Sequence, residues 1–190
     1  MSGDHADERS EALQTDFFRE QRSGLPSLLD KNAIESMPVP PTLLIDSGGS
    51  SVVATDVVSV DWWAEDGAGV VNVSEFDASP AGNTPSVGYD GRARLQLGAA
   101  VLPSRLHFLG FSEVGPDGAP SAPPVVELEC HYLEDTECLL PRLSDSGSVE
   151  IEVSAGAPVP LKLLVVQVAW YTSSSVGIPQ VQATWAIPVS

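Results

Sequence analysis

From Thr42 onward the sequence is cut into short β-branched runs by clusters of Gly, Pro, Asp and Ser, a punctuation that belongs to all-β sandwiches and barrels. Strands are predicted near Thr42 to Ile45, Ser51 to Trp63, Gly69 to Val73, Arg92 to Leu97 and Arg105 to Phe111. Four more are predicted near Val125 to Tyr132, Ser148 to Ser154, Val159 to Tyr171 and Pro179 to Val189. The clearest alternation sets Val149, Ile151 and Val153 against Glu150 and Glu152, which puts three apolar side chains inward and two carboxylates in solvent. Val181, Ala183, Trp185 and Ile187 alternate with Gln180, Gln182 and Thr184 in the same way, so Trp185 reads as core. Leu163 to Val166 is apolar on both faces, as befits a central strand or one whose second face is covered.

Eight or nine antiparallel strands with long connections, such as Asp77 to Asp90 and Val114 to Pro124, favour a jelly roll over a seven-stranded immunoglobulin-like fold. Residues 1–37 differ in character. Leu13, Phe17 and Phe18 form a short helical stripe that Ser23, Gly24 and Pro26 terminate, before Pro38, Pro40 and Pro41 force an extended path. The expected organisation is therefore an acidic, partly helical arm over 1–37 and a β-sandwich over 38–190. The arm cannot bury enough apolar surface to fold alone, so it is expected either to lie on the sandwich or on a neighbouring subunit, with Phe17 and Phe18 as candidate anchors, or else to be partly disordered.

Charge narrows the partners. The chain carries 26 acidic residues against 9 basic ones, a formal charge of -17, and its only lysines are Lys31 and Lys162. That balance opposes direct contact with nucleic acid or anionic lipid, and lysine depletion with surplus carboxylates suits either a high-salt environment or an ordinary acidic protein. The first twenty residues lack the basic start and apolar centre of a secretory signal, and the longest apolar stretch, Leu161 to Trp170, is too short to span a bilayer. Cys130 and Cys138 could form one local bridge or remain free buried thiols.

Catalytic chemistry finds few residues to use. With His5, His107 and His131 as its only histidines and no H-x-H pair, the chain is not expected to hold a cupin-type metal site. Cys130 and His131 point to opposite faces of a strand, so they do not share an ion. No Gly-X-Ser-X-Gly elbow occurs, and the run Ser47, Gly48, Gly49, Ser50 lacks the lysine of a phosphate loop and reads as a turn. Glu134, Asp135 and Glu137 do not match the spaced calcium loop and read as a solvated turn. No catalytic residue, cofactor, metal or small-molecule substrate is expected. Trp62 and Trp63 are sequence neighbours, so one is expected to face outward, a candidate for subunit contact ahead of carbohydrate binding.

In its strand pattern from Thr42 to Ser190 and its acidic, Arg-over-Lys composition, the chain resembles the small single-jelly-roll capsid proteins of tailless, membrane-containing viruses of halophilic hosts. The resemblance implies a non-enzymatic structural subunit of a symmetric virion shell that assembles with its own copies and other shell subunits. The arm, with eight acidic residues against Arg9, Arg19, Arg22 and Lys31, disfavours a shell that packages RNA directly. The alternative is a cytoplasmic, immunoglobulin-like module that recognises a protein or glycan through edge loops.

Overall fold

The computed structural model describes residues 40–54, 57–63, 70–73, 85–132, 138–171 and 180–190. The arm over 1–37, with Phe17 and Phe18, lies outside them, as do Glu134, Asp135 and Glu137.

Among the described residues eleven strands form two antiparallel sheets: β1 (Leu43–Ser47), β2 (Ser50–Ala54), β3 (Val57–Trp63), β4 (Val70–Val73), β5 (Arg92–Leu97), β6 (Arg105–Phe111), β7 (Val126–His131), β8 (Arg142–Leu143), β9 (Val149–Ser154), β10 (Leu163–Tyr171) and β11 (Gln180–Pro188). One sheet runs β2-β1-β5-β9-β8 and the other β4-β3-β11-β10-β6-β7.

Two features raise the strand number above the eight or nine expected. The run Ser51 to Trp63 is two strands, β2 and β3, that belong to different sheets, and the two-residue β8 beside β9 has no hydrophobic pattern to announce it. A run of β-branched residues records burial alone, so a switch between two sheets sharing one core leaves no mark in it. The strand predicted from Val159 begins instead at Leu163.

The alternations place the core between the sheets. Leu43 and Ile45 of β1, Leu95 and Leu97 of β5, and Val149, Ile151 and Val153 of β9 are buried from one side, against Leu106, Phe108, Leu164, Val166, Trp170, Trp185 and Ile187 from the other. Trp185 is fully buried, as its strand pattern requires. The doubly apolar run of β10 has both explanations at once: the strand lies inside its sheet, and Leu163, Val165 and Phe111 form a second cluster on the outer face. Val114 packs on that cluster from a turn closed by Gly115 N–H donating to the Ala119 carbonyl at 2.8 Å.

The turn at Ser47 to Ser50 is a two-residue hairpin loop, with Gly48 at φ 54° and Gly49 at φ 76°. Gly48 is required twice over, because a Cβ there would lie 2.8 Å from the Gly88 carbonyl carbon. Ser50 Oγ ties the loop down: it donates to the Ser47 carbonyl at 2.9 Å and accepts from Gly88 N–H at 2.8 Å.

The cysteines, left open by the sequence, are bridged. Cys130, buried on β7, joins Cys138 across a Cα separation of 5.8 Å. The bridge fastens an outer strand of the six-stranded sheet to the segment that crosses over to β8 in the other sheet.

Candidate functional site

Two constellations of charged side chains stand on the outer faces of the sheets. The first arises because β6 alternates Leu106 and Phe108 inward with Arg105 and His107 outward, while β7 turns Cys130 inward and Glu127 and Glu129 outward. Antiparallel register sets His107 opposite Glu129 and Arg105 opposite His131. His107 Nε2 lies 3.0 Å from Glu127 Oε1, His131 Nε2 lies 3.1 Å from Glu129 Oε1, and the Arg105 guanidinium pairs with the same Glu129 carboxylate. The two histidines of the sandwich thus share one face, each against a carboxylate. His131 is partly exposed beside a buried cysteine, as expected from the alternation.

Glu129 is the hub of this ladder. Burial acts to raise its pKa, but Arg105, His131 and His107 together, with the hydrogen bond from Arg105, outweigh burial and hold the carboxyl below its usual range. A lowered folded-state pKa stabilises the fold above the unfolded value near 4.5, and that contribution is lost as pH falls through the lower folded value. Glu129→Gln is therefore expected to cost under about 1 kcal/mol at pH 7, because the group is substantially solvated. The cost should shrink in 1 M salt and shrink as pH falls below 4.5 through the lowered folded-state value, as urea midpoints of the two proteins would show. A difference that persists unchanged at pH 3 would mean the carboxylate's charge is not what matters.

The second constellation is an open depression of about 670 Å³ on the five-stranded sheet, beside the Ser47 to Ser50 turn. Asp46, Arg94 and Glu152 line it as one cross-strand row, since Arg94 pairs in register with Asp46 on one side and Glu152 on the other. Asp90, Arg92 and Leu139 complete the rim. Leu139 follows the bridged Cys138 directly, so the disulfide helps to set this wall. Strand alternation makes the row legible residue by residue, but Asp46, Arg94 and Glu152 are 48 and 58 residues apart in sequence, and only the sheet order unites them.

Trp62 and Trp63 lie on β3, in register with Val71 and Val70 of β4, and their side chains fall outside the described residues. Ser47, Gly48, Gly49 and Ser50 form a turn, as read from the sequence. The described residues contain no group of three or more His, Cys, Asp or Glu side chains that could hold a metal ion, and no helix long and apolar enough to cross a membrane. Among the described residues the buried Tyr132 hydroxyl has no hydrogen-bond partner, and burial pushes its pKa far up, which keeps it a neutral phenol.

Compared with known protein families, curated proteins and solved structures, the chain matches none.

Proposed function

We propose that this chain is a non-enzymatic subunit of a larger protein assembly, built on a sandwich with immunoglobulin-like strand order. The sheet order carries the reading. With β2, β3 and β4 set aside, the sheets run β1-β5-β9-β8 and β11-β10-β6-β7. Lettered along the chain, these are A-B-E-D and G-F-C-C′, the immunoglobulin-like arrangement. In a jelly roll most successive strands lie in opposite sheets, whereas here β1-β2, β3-β4, β6-β7, β8-β9 and β10-β11 are each neighbours within one sheet. The order thus supports the alternative architecture over the jelly roll expected from the sequence.

Sandwiches of this kind act through the surfaces they present, and a fold alone does not name the partner. A virion shell is the assembly that the acidic, lysine-poor composition supports, one whose subunits stay clear of the packaged genome. The Cys130–Cys138 bridge supports a working location that is oxidising, as a virion surface is.

Sedimentation of the purified chain over a wide range of salt and concentration tests the reading. Discrete oligomers, growing as salt screens the like charges, are expected. A strict monomer under every condition would overturn it.

A second reading rests on the depression. Its row of alternating charges, with no aromatic side chain among the described lining residues, fits a charged extended peptide better than a sugar ring. In that reading the chain is a recognition module, and peptide binding weakened by Arg94→Ala is its signature.

A further inference from the structure

An acidic chain that assembles with its own copies needs a contact where like charges do not meet. The four sheet edges differ sharply in this respect. The β7 edge presents Glu127 and Glu129, and β8 is two residues long, follows Pro141 and carries Arg142; charges, short length and proline are all devices that blunt an edge. The β4 edge, Val70–Val73, also lacks charge and proline but is only four residues long. The β2 edge, Ser50–Ala54, has no charged residue and no proline over five residues.

The hairpin settles which backbone groups of β2 face outward. Ser47 pairs with Ser50 around a two-residue loop, so Ser50, Val52 and Ala54 direct their N–H and C=O groups to β1. Ser51 and Val53 direct theirs away from it. Both residues are exposed, Val53 by 48%. The strand is also held ready for pairing, since Ser50 Oγ locks the turn to Gly88 and Val52 and Ala54 are anchored in the core.

The geometry points to β2 as the surface through which two copies of this chain join, antiparallel across a twofold axis at Val52; this inference rests on the assembly reading above. In that register Ser51 of each copy lies opposite Val53 of the other, and each such pair exchanges two backbone hydrogen bonds. The two five-stranded sheets become one continuous sheet through the dimer. On the outer face Val53 packs beside Ser51 of the second copy, so no charged side chain of β2 meets its like.

Residue-resolved amide hydrogen exchange on the full chain tests this. Between about 1 µM and about 1 mM protein, the Ser51 and Val53 amides are expected to gain roughly tenfold or more in protection, while Val52 and Ala54, bonded to β1, stay protected throughout. Val53→Pro removes an outward donor without touching the β1 pairing, and Val53→Glu keeps the donor but sets a carboxylate on the contact. Each is expected to lower the sedimenting mass to that of the monomer while the circular dichroism spectrum stays that of the wild type.

Protection of Ser51 and Val53 that does not change with concentration would overturn the inference, because another part of the same chain then covers the edge. Exchange that stays fast at every concentration would overturn it too. Oligomers that persist in both variants would remove β2 as the contact and leave the assembly reading standing, whereas a wild type that never leaves the monomer would remove both.

Discussion

Trp170→Ala is expected to lower stability by about 3–5 kcal/mol, the largest effect of any single substitution considered for this protein. Trp170 is fully buried on β10 inside the six-stranded sheet, where its indole fills the space between the sheets. Its Nε1–H donates to the Val101 carbonyl at 3.1 Å, tying the segment before β6 to the core. Truncation therefore opens a cavity and leaves a buried carbonyl without that donor, two costs that add. Trp170→Phe keeps most of the packing and loses the hydrogen bond, so it should cost about half as much. Urea unfolding of the three proteins, followed by far-ultraviolet circular dichroism, gives the comparison. A loss below about 1 kcal/mol for the alanine variant would mean the core collapses around the site and that Trp170 is not its keystone.

Loss of the Cys130–Cys138 bridge is expected to cost about 2–3 kcal/mol, from the loop-closure entropy of residues eight apart in sequence. Cys138→Ser is the cleaner variant, since it leaves Cys130 as a small buried apolar residue, whereas a serine at 130 would bury a hydroxyl in the core. Reductant should bring the wild type down to the stability of Cys138→Ser and leave the variant unchanged. Because Leu139 lines the depression and Leu140 is buried immediately after it, the loss should also loosen the wall of the depression, visible as faster amide exchange at 139 and 140. A wild type equally stable with and without reductant would show that the crossover needs no staple.

Alternation along single strands was enough to place many side chains correctly. The inward set of β9, the burial of Trp185 and the doubly covered run at Leu163 to Val166 all follow from which residues can tolerate water. The turn at Ser47 to Ser50 was legible too, because two adjacent glycines suit the positive φ angles of a tight hairpin. Within strands the signal is local, and burial is decided residue by residue.

What lay beyond the sequence concerns residues far apart along the chain. The split of Ser51 to Trp63 between two sheets, the charge row Asp46, Arg94 and Glu152, and the ladder joining Arg105 and His107 to Glu127, Glu129 and His131 depend on which strands become neighbours. The choice between bridged and free cysteines, only eight residues apart, also needed the structure, because their spacing allows either state.

The sequence by itself determined the all-β character of the described residues, the chain's acidity, its local turns and the inward face of its clearest strands, because those follow from composition and from hydropathy at neighbouring positions. Only the tertiary structure decided strand order, and with it the clustered charges on the outer faces of the two sheets. Hydropathy tells each strand which face to bury, and many sheet orders satisfy that demand equally. The one adopted is selected by how the side chains of both sheets pack together.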